Sequence, residues 1–271
     1  MTPTEAGLPA LKYRLKVAWM AGDYDRYSRY LKTGAAEFYE RLCIPPGAGL
    51  LDVGCGSGTL ALMAARNGVV AAGVDIAPNW IERARCRAAT DRLKVDFREA
   101  DAESLPFADA QFDFVTSMFG GMFAPQPDLV AKEMARVCRS GGAIAMSNWT
   151  PGGFAGQMYR IIARYVPTPM MTSPFLWGDE AVARQRLQPY VSSLRASRRT
   201  YIFEYPYPPA SVVEFFRENY GPVVAAFGHL DCTGRRALRA ELDLLWTKWN
   251  NCPHGTTCVH SDALELIATR A

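Results

Sequence analysis

Residues Gly49 to Gly58 read GLLDVGCGSG and continue into Thr59-Leu-Ala-Leu-Met-Ala-Ala-Arg66. Leu50, Leu51 and Val53 form a short apolar run interrupted by Asp52 and followed by glycines at alternate positions, Gly54, Gly56 and Gly58. This is the pattern of a buried strand turning sharply into a helix. Glycine reaches backbone conformations that a Cβ forbids and lets a ligand lie against the chain, while the helix starting near Thr59 adds free N–H groups and a positive dipole end. The turn is a candidate ligand cradle.

Two ligands suit these letters. Gly56-Ser-Gly58-Thr-Leu-Ala61 satisfies the G-x-G-x-x-A form of the dinucleotide fingerprint, which would seat a pyrophosphate on the helix and imply an NAD-dependent oxidoreductase. Against it, the glycines run G-x-G-x-G directly after an acidic residue, Asp75 closes the next apolar run (69–75), and a further acidic strand end follows at Asp101. A ligand with a cationic amine, a ribose diol and an adenine amine, but no phosphate, wants acceptors at those places. S-adenosylmethionine is such a ligand.

In this arrangement the sequence resembles the class I S-adenosylmethionine-dependent methyltransferases. LDVGCGSG is similar to their first motif, VDIAP (74–78) to the second, DAESLPF (101–107) to the adenine-binding motif, and RVCRSGGAIAMSNW (136–149) to the turn into the fifth strand. The small-molecule branch containing the ubiquinone and menaquinone enzymes is the nearest in pattern. The resemblance implies S-adenosyl-L-methionine as cofactor, S-adenosyl-L-homocysteine as product, and a small-molecule methyl acceptor. Over the motif it implies cofactor contacts from Asp52, Gly54, Cys55, Gly56 and Gly58, with Asp52 toward the methionine ammonium. It further implies Asp75 and Ile76 at the ribose, Asp101 and Ala102 at the adenine, the backbone carbonyls of Ser117 and Met118 at the ammonium, and Tyr24 and Tyr27 from an N-terminal lid.

The hydrophobic rhythm predicts an α/β fold, a Rossmann-like seven-stranded, mostly parallel sheet with helices on both faces. Strands are expected at 49–53, 70–74, 95–99, 112–117 and 142–148, and helices at about 59–67, 78–90 and 127–139. Residues 198–205 and 263–269 alternate as further strands around helices at about 209–227 and 233–249; in the resembled family the last strand inserts antiparallel beside the fifth. The organisation expected is a helical arm or lid over 1–44, a cofactor-binding core over 45–150, a cap insertion over 151–197 and sheet-completing elements over 198–271. The proline- and glycine-rich cap, with Met170-Met171, Phe175, Leu176 and Trp177, predicts an apolar acceptor pocket. Phe119, Phe123, Trp149 and Trp177 are its candidate substrate contacts.

Thirty basic and 27 acidic side chains give a net charge of +3, and Arg235, Arg236 and Arg239 alternate with apolar residues. That is a solvated helix face rather than a nucleic-acid stripe. No run reaches the roughly 18 to 20 apolar residues of a spanning helix. Seven scattered cysteines fit reduced thiols in a cytoplasm better than a disulfide framework.

His229, in a predicted loop with Asp231, is the candidate general base, as an imidazole paired with an acid can take a proton from a phenol, thiol or amine. Asn148 and Trp149 have the better position in the chain. Cys252, His254, Cys258 and His260 offer zinc-type donors, but C-x-H-x3-C-x-H crowds four ligands together without a zinc-finger spacing, so no metal is expected. An S-adenosylmethionine-binding module without transfer activity is the alternative outside enzymes.

Overall fold

The computed structural model describes residues 7–166, 171–252 and 255–271. Three helices come first: α1 (Leu8–Met20), α2 (Tyr24–Ser28) and α3 (Lys32–Arg41). The alternating part follows as β1 (Gly49–Val53), α4 (Thr59–Arg66), β2 (Val70–Asp75), α5 (Pro78–Thr90), β3 (Asp96–Glu99), β4 (Phe112–Met118), α6 (Pro127–Val137) and β5 (Cys138–Trp149). Prolines start α5 and α6, where their missing N–H costs nothing and their fixed φ suits the first turn. Gly68, at φ +77°, closes the turn after α4.

Beyond β5 lie α7 (Phe154–Tyr165), α8 (Glu180–Leu187), β6 (Val191–Tyr205), α9 (Pro209–Asn219), α10 (Gly221–His229), α11 (Cys232–Trp249) and β7 (Thr257–Arg270). The seven strands lie in the order β3-β2-β1-β4-β5-β7-β6. β7 runs antiparallel to both neighbours, and the remaining strands are parallel. The order reverses beside β1 and β4, so their carboxyl ends open the crevice in which such sheets take ligands.

Four boundaries differ from the sequence expectation, one of them β7, which begins at Thr257, six residues before the expected 263. β5 begins at Cys138, four residues early, because a register shift between Phe112 and Phe114 and the positive φ of Gly141 (+72°) carry the strand through the expected turn. β6 begins at Val191, so residues 191–197 belong to the sheet and not to a cap. The helix expected over 209–227 is broken at Tyr220, whose backbone is extended. Pro222 has no N–H to continue the helical ladder, and a Cβ on Gly221 would lie 2.2 Å from the Ala18 carbonyl oxygen, so α10 is packed tightly on α1. Met170 and His254 lie outside the described residues.

Candidate active site

The loop after β1 is held by β2. Val74 accepts hydrogen bonds from the Gly54 and Cys55 N–H groups at 2.8 and 2.9 Å. The Asp75 carboxylate accepts from Gly56 N at 2.8 Å and from Ala77 N at 2.9 Å, which leaves lone pairs on both oxygens. Gly54 and Gly56 have φ of +72° and +53°. A Cβ on Gly54 would sit 2.6 Å from Gly120 Cα, and one on Gly56 would press on the Tyr24 ring at 3.3 Å. The two rim loops therefore approach as bare backbone. Gly58 has another duty: its Cβ would meet Phe97 at 2.6 Å, and it lines neither hollow described below, so its absent side chain serves helix–sheet packing.

Above this loop is a cavity with about 940 Å³ of empty space, bordered by Gly54, Gly56, Asp75, Ile76, Asp101, Ala102, Phe119, Phe123 and Trp149. A hollow of about 500 Å³ adjoins it through Tyr24, Leu31, Gly54, Gly56 and Phe119 and adds Asp52, Cys55 and Met118. Asp52 is 3% exposed. Burial, then the charge of Asp75, pushes its carboxyl up to about 7, against the pull of the Ala61 N–H. Burial likewise raises Asp75, opposed by its backbone donors, and Tyr24 is raised by burial, then by Asp75 and Asp52. Among the described residues no Lys, Arg or His forms an ion pair with Asp52 or Asp75. A buried carboxylate, Asp52, and a half-buried one, Asp75, face the hollows without a cation, which is a costly arrangement for an empty site.

The N-terminal helices form the outer wall. Lys12, Leu15 and Trp19 of α1 and Tyr24 and Tyr27 of α2 line the large cavity, as do Trp80 of α5 and Tyr220. The wall is fastened at two places. Lys12 pairs with Asp101 and Glu103, each at 2.5 Å, and Lys16 pairs with Glu99. At the other end the Ser57 hydroxyl donates to Asp25 at 2.9 Å, and Arg87 donates to the Ser57 carbonyl and hydroxyl at 2.8 Å. Although burial pushes the Asp25 carboxyl up, Ser57, Arg87 and Arg83 hold it below the usual range. The Trp80 indole also donates to the Trp19 carbonyl at 2.7 Å.

The structure brings together Asp52, Gly54, Cys55, Gly56, Asp75, Ile76, Asp101, Ala102, Met118, Tyr24, Tyr27, Phe119, Phe123 and Trp149. Phe119 adopts φ +61°, an uncommon conformation for a bulky residue, and stacks on Trp149 with ring centroids 3.7 Å apart. The Ser117 hydroxyl is buried and committed, donating to Val53 O at 2.7 Å and accepting from Gly121 N at 2.8 Å, which leaves the expectation for its backbone carbonyl untouched. Three expectations are corrected. Trp177 is fully enclosed with the Arg186 guanidinium 4.8 Å from its ring, and does not line the large cavity. His229 is exposed at the end of α10 and is absent from the cavity wall, while Asp231 caps α11 by accepting from Gly234 N at 2.7 Å. Finally, no described residue of 151–197 borders the large cavity; its described cover comes from α1, α2 and Tyr220. Cys252 and Cys258 are free thiols and His260 is exposed on β7. Among the described residues no group of three or more His, Cys, Asp or Glu is placed to hold a metal ion, and no helix is long and apolar enough to cross a membrane.

Lys12, Leu15, Trp19, Trp80 and Tyr220 were not foreseen. Only Gly221-Pro222 carried a readable signal, a helix break that delivers Tyr220 to the cavity.

A doubly wound sheet with an acidic, glycine-floored crevice at its switch point defines an α/β protein of the kind that takes ligands in that crevice. The methyltransferase domain family model matches residues 51–146. An uncharacterized protein of Mycobacterium tuberculosis is 36% identical over 231 residues, 84% of each chain. The 27-O-demethylrifamycin SV methyltransferase of Amycolatopsis mediterranei is 34% identical over 151 residues, 52% of this chain and 56% of that one. The YcgJ protein of Bacillus subtilis shares the fold, with a TM-score of 0.59 and 18% identity over 88% of this chain and 98% of its own. The chain belongs to the class I S-adenosylmethionine-dependent methyltransferase family.

Proposed function

We propose that the protein transfers a methyl group from S-adenosylmethionine, by in-line displacement, to a small, fairly apolar acceptor. The observation that carries this reading is the pair of buried Asp52 and half-buried Asp75 facing the hollows without a cation. A ligand with an ammonium and a ribose diol supplies the charge and the hydroxyls those carboxylates lack, whereas a pyrophosphate would add negative charge beside them. Asp52 would hold the ammonium, Asp75 the ribose, and Asp101 with the Ala102 N–H the adenine edge; the second lone pairs of Asp101 stay available beside Lys12. Gly54 and Gly56 give the floor on which no side chain intrudes. The open 940 Å³ cavity favours transfer over a binding module whose own aromatic side chains fill the site. Seven free thiols fit a reducing compartment such as the cytoplasm.

When bound, the donor supplies a methyl group already activated on a sulfonium and departs as S-adenosylhomocysteine. The chain then has to align the acceptor and keep water away, and well-oriented reactants gain roughly 7 to 11 kcal/mol in favourable cases. Phe119, Phe123, Trp149, Tyr27 and Tyr220 make an aromatic acceptor chamber. Burial raises the pKa of both tyrosines, so their hydroxyls stay protonated and serve as hydrogen-bonding groups rather than bases. A relative named 27-O-demethylrifamycin SV methyltransferase fits an oxygen acceptor.

Calorimetry with S-adenosylhomocysteine and with NAD tests the donor assignment. Micromolar binding of the first and none of the second is expected, and the reverse overturns it. A panel of phenols, thiols and amines with methyl-labelled donor then tests transfer.

A further inference from the structure

Asn250 ends α11 and is bridged to Val259 of β7, so the chain leaves the helix and re-enters the sheet at one corner. The Asn250 amide clamps that corner. Its Oδ1 accepts from the backbone N–H groups of both Cys252 and Cys258, at 3.0 and 2.8 Å, and its Nδ2 donates to the Cys252 and Thr256 carbonyls at 2.9 and 3.0 Å. The Asn251 N–H donates to the Cys258 carbonyl at 2.8 Å. The shared acceptor keeps the two cysteine nitrogens within about 6 Å of each other, on the scale of the roughly 4.4 to 6.8 Å between Cα atoms of bridged cysteines. Their thiols are hydrogen-bonded to one another. The thiols of Cys43, Cys55, Cys86 and Cys138 donate to oxygens instead, and among the described residues no other cysteine has a sulfur as its partner. Cys258 is buried and Cys252 half-buried, and neither borders the large cavity or the hollow beside it. Burial, then the Cys252 thiol beside it, then Glu204 opposite on β6 pushes the Cys258 thiol up.

We propose that Cys252 and Cys258 are a redox-active dithiol that closes to a disulfide by exchange with a small-molecule disulfide such as oxidised glutathione. Access sets the order of events. The more open Cys252 attacks as its thiolate; the glutathione S–S bond breaks, one glutathione departs and takes up a proton, and Cys252 carries the other as a mixed disulfide. Cys258 then attacks the Cys252 sulfur and breaks that second bond, and its proton leaves with the released glutathione. The protein dithiol is oxidised by two electrons, and the glutathione disulfide is reduced to two thiols. The Asn250 clamp holds both backbones together before any bond forms, so the closing step is intramolecular and little loop entropy remains to be lost. The bond ties the end of α11 to the start of β7. Thiols that are free in a reducing compartment and bridge transiently on oxidation are the usual form of such a device there.

The test equilibrates the full chain in glutathione buffers stepped from fully reduced to fully oxidised, quenches with acid, alkylates the remaining thiols in denaturant and digests with trypsin for mass spectrometry. Both cysteines fall on the tryptic peptide 249–270, which contains no other. That peptide is expected to lose two hydrogens and escape alkylation. Its conversion should follow the ratio of oxidised glutathione to the square of reduced glutathione, as for an exchange that retains no glutathione. In Cys258→Ser, Cys252 is expected to keep one glutathione for want of a resolving sulfur, and in Cys252→Ser the buried Cys258 to stay free. The parent protein decides the pairing by itself should either variant fail to fold. In the oxidised buffer, a parent peptide with both thiols alkylated, one still carrying glutathione, or one joined to a different peptide overturns the proposal. A Cys258→Ser protein whose Cys252 stays unmodified overturns the order of attack.

Discussion

Asp52 gives the account a pH signature. Its carboxyl is buried and raised to about 7, so at pH 6 roughly one molecule in ten carries the charge and at pH 8 roughly nine in ten do. If the ammonium of S-adenosylhomocysteine requires ionised Asp52, the association constant rises about tenfold between those values, or about 1.4 kcal/mol. Binding at pH 6 also releases close to one proton, because the ligand draws the carboxyl down. Calorimetry in two buffers of different ionisation enthalpy reads both quantities. Asp52→Asn removes the charge and most of the pH dependence, with affinity at pH 8 falling to about the parent's value at pH 6. Equal affinity at the two pH values, with no buffer dependence, refutes the role given to Asp52. The same shift has a stability consequence. A raised folded-state pKa means the native protein holds this proton more tightly than the unfolded chain. The stabilisation is then complete below about 3.8 and is lost as pH rises through 7, an upper bound of roughly 4 kcal/mol. The ligand-free protein is expected to lose thermal stability across that window, and saturating S-adenosylhomocysteine to restore part of it at pH 8.

Gly54→Ala places a methyl group 2.6 Å from Gly120 Cα at a φ of +72° and should cost roughly 3 kcal/mol, read as a fall in Tm of several degrees. Asp25→Ala releases Ser57 and two arginines from α2; S-adenosylhomocysteine should dissociate several-fold faster in stopped flow, and an unchanged rate would show that the arm does not retain the ligand. His229→Ala should leave turnover within twofold of the parent, since the imidazole is exposed away from the cavity.

The cofactor half was legible because its signals are local. Alternating glycines after β1, acidic ends on β2 and after β3, and apolar runs of strand length placed Asp52, Gly54, Gly56, Asp75 and Asp101 on one rim. Gly58 shows the limit of such reading, because a positive φ is common to a ligand floor and to a helix packed against Phe97. The arm's tyrosines were foreseen, but Lys12, Leu15 and Trp19 were not. Their role depends on where α1 lands, and that is decided by contacts with α5 and α10 dozens to hundreds of residues away. Trp177 and His229 mislead for the same reason. An aromatic in a proline-rich segment and a histidine between two helices look alike whether they face a cavity, the core or solvent. The described residues of the expected cap do not cover the large cavity, because seven of them extend β6 and because the helix break at Pro222 lets Tyr220 close that side.

The central claim is that Asp52, Asp75 and Asp101 clasp a sulfonium nucleoside above Gly54 and Gly56. A crystal structure with S-adenosylhomocysteine tests it most directly. The account predicts ribose hydroxyls within about 3 Å of Asp75, the adenine amine at Asp101 and the amino group at Asp52. A nucleoside bound elsewhere, or one lying over this loop with Asp75 turned away from the ribose, contradicts it.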